Sequence, residues 1–150
     1  MGKCTGKKIC RLVGFWDLLL TLPFALPAVN VRVLELLSVL HARLSPETPF
    51  PVFYDLHVFF VQLFGILAVL WAVVRIIKPS AFLSFCDLTG RFVVAAMMLH
   101  YSYKGTSSTI LLFSASEIGF GAVQAIVLGK EKLLKRLKKR RLDVSQDDPV

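Results

Sequence analysis

The sequence contains few of the residues that build catalytic or covalent sites. It has 3 cysteines and 3 histidines among 150 residues, and no Cys-x-x-Cys-His motif for covalent haem attachment. A glycine-rich phosphate loop, a nucleophile elbow and a paired-histidine zinc motif are also absent. These absences argue against an enzyme, and we expect no catalytic residue, no metal site and no resident cofactor.

Acidic residues are scarce, and the basic residues are concentrated at the two ends. The chain has 10 acidic and 18 basic residues, a formal net charge of +8. Met1–Arg11 holds 4 of the basic residues and Lys130–Arg141 holds 8. A nucleic-acid-binding protein usually spreads such charge over a folded face with interleaved aromatic residues. Here the charge flanks apolar runs, as in membrane proteins, so nucleic acid is not an expected partner.

Long polar stretches are missing between those ends. The composition is 55% hydrophobic with a mean hydropathy of +0.65, above the roughly 45–50% of soluble domains. Four runs are long enough to cross a hydrocarbon core of about 30 Å. They cover residues 9–29, 52–77, 81–103 and 107–129. The sequence predicts an all-α membrane protein, a four-transmembrane-helix bundle over residues 1–129, followed by a basic cytoplasmic tail over residues 130–150.

The first run differs from the others because prolines interrupt it. Pro23 and Pro27 should kink its second half or end it early. Its basic flank also resembles a signal peptide, but Asp17 inside the apolar run favours a retained span over a cleaved one. The next segment, Asn30–Ser45, alternates apolar and polar residues at helical spacing. It predicts an amphipathic helix between spans 1 and 2, lying in the interface or capping the bundle.

Charge placement also predicts the orientation. Four spans put both termini on one side, and the positive-inside rule assigns that side to the cytoplasm. Arg75 and Lys78, at the exit of the second span, count with the cytoplasmic charges. The cysteines fall at or near this reducing face, so we expect free thiols. Basic residues of the tail are predicted to bind anionic lipid: Lys135, Arg136, Lys138, Lys139, Arg140 and Arg141.

Each span carries a stripe of small and polar residues, which we expect to face the bundle interior because small residues let helices approach closely in lipid. The predicted intramembrane polar cluster is Asp17, Asp87, Arg91, Glu117 and Gln124. Three carboxylates would then face one guanidinium, so at least one acid should be protonated or hold a cation. Two interpretations stay open, a polar staple that sets helix register and a site for a proton, an ion or a small polar ligand.

Two histidines suggest a further alternative. His57 and His100 lie near the outer ends of adjacent predicted spans, and histidines on facing helices can ligate a haem iron. The competing interpretation places them at the lipid headgroups beside Tyr54, Tyr101 and Tyr103, as part of an aromatic belt.

Three stretches carry a family resemblance. They are Val69–Ser80 (VLWAVVRIIKPS), Cys86–Ala96 (CDLTGRFVVAA) and Ser116–Gln124 (SEIGFGAVQ). In length, number of spans and placement of polar residues, the chain resembles the small four-span bacterial proteins of the DoxX-like kind. The resemblance implies a multi-pass protein of the cell inner membrane that serves as a subunit of a redox or transport complex.

Three functional hypotheses follow. The first is a non-catalytic accessory subunit or scaffold that contacts the bilayer and either a membrane protein partner or further copies of itself. The second is a component that transports protons, cations or small solutes through intramembrane carboxylates. The third is a haem-binding redox subunit.

Overall fold

The computed structural model describes residues 5–105 and 109–146, and these residues are almost entirely helical. Five helices occur in this part of the chain: α1 Thr5–Ala25, α2 Pro27–Leu44, α3 Asp55–Ile77, α4 Ala81–Tyr103 and α5 Thr109–Gln146. The all-helical class predicted from the sequence is confirmed.

A sharp bend separates α1 from α2. The axes of the two helices differ by 101°, and Leu26 between them has an extended backbone. Pro27 begins α2, where a residue without an N–H loses no helical hydrogen bond. The first apolar helix therefore ends at Ala25 and does not reach Val29, and the amphipathic helix begins three residues before the predicted Asn30.

Three helical stretches are long and apolar enough to cross a membrane: Asp55–Ile77, Ala81–Tyr103 and Thr109–Leu134. The bent pair of α1 and α2 supplies a fourth candidate. The last helix is longer than predicted, because α5 continues without a break to Gln146. The basic stretch expected to form a separate tail from residue 130 is thus a direct continuation of the last candidate span.

The helices associate mainly as two pairs, α1 along α3 and α4 along α5, and α1 also contacts α4 and α5. Gly65 allows the closest approach within the first pair. A Cβ atom at this position would lie 2.7 Å from the backbone C of Phe24 and 2.7 Å from the backbone N of Ala25. Because backbone atoms cannot move aside as a side chain can, the end of α1 and α3 lie this close only with glycine at position 65.

The interior of the assembly is small and polar, and its exterior is apolar. Ala72 and Ala95 are buried, whereas large side chains such as Leu19, Phe64 and Phe82 are exposed. This is the reverse of a water-soluble protein, in which large aliphatic and aromatic side chains fill the core. Such a surface suits a lipid environment, where association depends on close packing and interior hydrogen bonds.

Candidate functional site

Five charged side chains from four helices meet inside the assembly. They are Asp17 on α1, Arg75 on α3, Asp87 and Arg91 on α4, and Glu117 on α5. We call these five residues the charge network. They lie on the inward stripes of their helices, where small neighbours leave room for long side chains.

Arg75 joins three helices at one end of the network. Its Nη2 atom donates to Asp17 Oδ2 at 2.5 Å, and its Nη1 atom donates to Asp87 Oδ1 at 2.6 Å. Trp71, one turn earlier on α3, donates its indole N–H to the same Asp87 oxygen at 3.2 Å, and its ring lies 5.8 Å from Arg75 Cζ. The Arg75 side chain is only 2% exposed, so α3 is held to α1 and α4 by charges that are shielded from solvent.

Arg91 forms the second centre of the network. Its Nε atom donates to Asp87 Oδ2 at 3.2 Å along the same helix, and its Nη1 atom donates to Glu117 Oε2 at 2.7 Å. Its Nη2 atom donates to Asp17 Oδ2. The Phe120 ring lies 5.7 Å from Arg91 Cζ, within cation–π range. Arg91 therefore connects α4 to α1 and α5, and Asp17 and Asp87 each accept from both arginines.

The charge balance differs from the sequence prediction. Three carboxylates face two guanidinium groups, whereas the sequence predicts one, that of Arg91. By the positive-inside rule, the sequence predicts Arg75 among the cytoplasmic charges, together with Lys78. A signal for the correct placement was present, since Arg75 follows Ala68 and Ala72 on the inward stripe of α3. One negative charge remains in excess within the network.

Glu117 is the most exposed of the three carboxylates in the network. Its side chain is 28% exposed, compared with 17% for Asp17 and 6% for Asp87. Glu117 pairs with one arginine, whereas each aspartate pairs with two. The two aspartates are therefore enclosed between the arginines, whereas Glu117 is partly exposed. We call the Glu117 side of the network its open edge.

Gln124 occupies a neighbouring position and contacts the backbone of α4. Its Nε2 atom donates to the Ser84 carbonyl at 2.8 Å, and both residues are fully buried. Ser84 precedes Asp87 by one helical turn, so this contact lies beside the network. Within the described part of the chain, Ser84 Oγ, Gln124 Oε1 and Arg75 Nε have no hydrogen-bond partner. Such atoms are uncommon in protein interiors.

The two histidines proposed as outer-face ligands are exposed. The backbone N–H of Tyr54 donates to His57 Nδ1 at 3.3 Å, and the His100 ring packs edge-on against Tyr101. No group of three His, Cys, Asp or Glu side chains is placed to hold a metal ion among residues 5–105 and 109–146. Binding of haem by His57 and His100 stays a prediction.

The beginning of α1 is anchored to α5 beyond the predicted last span. The Gly6 N–H donates to Glu131 Oε1 at 2.8 Å, so a carboxylate lies near the positive end of the α1 dipole. Of the six basic residues predicted to bind lipid, Arg136 is exposed. The other five side chains lie outside the described residues: Lys135, Lys138, Lys139, Arg140 and Arg141.

The cysteines in the described ranges are free thiols, Cys10 buried and Cys86 partly exposed. Cys10 Sγ lies 3.9 Å from the Arg75 carbonyl oxygen, so it packs against α3 at the level of the network. Cys4, also predicted to be free, lies outside the described residues.

Comparison with known proteins identifies no relative: no family model, no curated protein and no solved structure matches the chain. The resemblance to DoxX-like proteins therefore has no support from these comparisons. The chemistry of the charge network has to be interpreted from its own geometry.

Proposed function

We propose that this chain is a non-catalytic integral membrane protein that acts as an accessory subunit or small scaffold. The proposal rests on the ion pairs that the charge network makes between different helices. Each arginine joins carboxylates from two or three helices. Both arginines and both aspartates thus make at least two ion pairs each, and these pairs hold helices together, which is a structural use.

The energetic cost of a charge inside a membrane explains why each charged side chain of the network needs an oppositely charged partner. A charged side chain in the middle of a transmembrane helix costs about 2.5–3.5 kcal/mol on insertion scales. Pairing offsets this cost only if hydrogen bonds satisfy both partners, and removal of one partner is strongly destabilising. The network therefore fixes the rotation and depth of its helices, because a shifted helix would leave a charge unpaired.

The proposed setting is the inner membrane of a bacterial cell, with four spans and both termini in the cytoplasm. The bent pair of α1 and α2 would supply the first span and an outer interfacial helix. Support comes from the basic residues in the first turns of α1 and in the last part of α5, which obey the positive-inside rule in this orientation. Anionic lipid would contact the basic residues at the cytoplasmic face.

Crosslinking in native membranes tests the accessory role. The full chain, expressed from its own locus with an affinity tag, should be captured with a stable membrane protein partner or as a defined homo-oligomer. Capture of a lone monomer over a range of crosslinker lengths would reject the proposal.

A second candidate function is proton or cation handling, favoured by the excess negative charge and the open position of Glu117. Purified protein in sealed vesicles should then carry a measurable proton or cation flux that Glu117→Gln abolishes. Flux equal to that of empty vesicles would reject this candidate without affecting the first.

A further inference from the structure

The open edge of the charge network lies on an apolar surface. Glu117 is 8 residues from the start of the candidate span Thr109–Leu134, a rise of about 12 Å. Phe113, one turn earlier on the same side of α5, is exposed, and Phe120, one turn later, packs against Trp16 of α1 at 5.4 Å. A partly exposed carboxylate is therefore bordered by aromatic residues, at a depth that lipid headgroups do not reach.

We infer that this edge is a docking site for the transmembrane helix of another protein that carries a lysine or arginine near its centre. The inference rests on the proposed accessory function and specifies the partner class. The network has one negative charge in excess, and Glu117 is its only member with a single arginine partner. A cation on a facing helix would balance the charge and remove the carboxylate from contact with lipid.

A second copy of this chain does not fit the site. Arg91 lies in the middle of α4 and Arg75 lies in the last turn of α3, and both are buried and already paired. Among the described residues, the exposed basic side chains lie in the first turns of α1, on α2, just after α3 and α4, and from Lys130 onward in α5, outside the middle of the three candidate spans. A copy meeting this face with its own α5 would place a second carboxylate there, and like charges repel. Charge complementarity thus selects a different, cationic helix.

The test uses the full chain in vesicles of neutral phosphatidylcholine, so that attraction to anionic lipid does not contribute. Its partner is a polyleucine transmembrane peptide with a central lysine, and the matched peptides carry a central leucine or glutamate. Energy transfer between labelled protein and labelled peptide reports association. We expect the lysine peptide to bind about tenfold more tightly than the leucine peptide, in line with interhelical polar contacts in membranes, and the glutamate peptide to bind most weakly.

Variants then locate the site. Glu117→Gln should remove the preference for lysine, whereas Glu35→Gln, at an exposed acid outside the network on α2, should leave it unchanged. Equal binding of the lysine and leucine peptides by the unmodified chain overturns the inference, and so does a lysine preference that survives Glu117→Gln. The peptide comparison needs no variant, so a misfolded variant cannot hide a negative result.

The outcomes also separate this inference from the proposed function. If crosslinking captures a partner in native membranes but the lysine peptide shows no preference, only the docking site is wrong. If the lysine peptide binds but native membranes yield a lone monomer, the accessory function is wrong and the affinity of the surface stands.

Discussion

Arg75 Nη2 donates a hydrogen bond to Asp17 Oδ2 at 2.5 Å, and this bond joins two residues that lie 58 positions apart in the chain. This contact links α3 to α1, the two helices that Gly65 also lets approach closely. One ion pair and one glycine therefore both determine how α1 packs against α3. The ion pair sets rotation and depth, and the glycine sets the distance.

Replacing Arg75 should destabilise the fold strongly. Arg75→Leu leaves Asp17 and Asp87 with Arg91 alone, and breaking a buried pair from one side typically costs about 3–5 kcal/mol. Thermal unfolding in detergent should show a large fall in midpoint. Adding Asp17→Asn should recover part of the loss, because it reduces the uncompensated negative charge.

Lys78→Leu is the matched control for that experiment. Lys78 is exposed just beyond the end of α3, so its replacement should change stability by no more than about 0.5 kcal/mol. Equal midpoints for the two variants would show that the network does not hold the helices together.

A methyl group at Gly65 should separate α1 from α3. The added carbon would lie 2.7 Å from two backbone atoms, so one helix has to shift, at a typical cost of about 1–3 kcal/mol for overpacking. Gly90→Ala is the control, since nothing lies within 4 Å of its added Cβ and alanine is the better helix former. A Gly65→Ala variant as stable as Gly90→Ala would contradict the close packing.

Two buried serines should respond in opposite directions to replacement by alanine. Ser84 Oγ has no hydrogen-bond partner among the described residues, and Ser84→Ala keeps the backbone carbonyl that Gln124 uses. We expect the unfolding midpoint to rise, because an unsatisfied buried hydroxyl costs about 1–3 kcal/mol. Ser114→Ala removes a hydroxyl that bonds the Ala95 carbonyl at 3.4 Å and should lower it. A fall for Ser84→Ala would instead indicate that Ser84 Oγ is satisfied by a bound water.

Thiol labelling should distinguish the two described cysteines. In a Cys4→Ser variant, Cys86 should react first, because it is partly exposed whereas Cys10 is buried against α3. Cys10 should react at least about tenfold more slowly, since an opening free energy of 1.4 kcal/mol already lowers the reactive population by that factor. Arg75→Leu should accelerate Cys10 labelling, and equal rates for the two thiols in the parent would show that α1 is not packed as described.

The reliable sequence signals were local ones. Apolar runs located the candidate spans, and Pro27 marked the break after α1. The spacing of Asp87 and Arg91 placed them on one helix face, where they pair at 3.2 Å. The sequence predicted the last span to about residue 129, where the basic stretch begins. The helix α5 continues beyond it to Gln146, because the following leucines, lysines and arginines are good helix formers.

Composition and helical spacing by themselves determined an all-helical chain with apolar outer surfaces and inward polar stripes. Only the tertiary structure decided how the charges pair. Asp17 accepts from both arginines, and Arg75 turns inward where its position near a helix end had suggested an interfacial role. The physical reason is that a stripe specifies which way a side chain points from its own helix. Which partner it meets depends on the relative rotation and depth of four helices packed together.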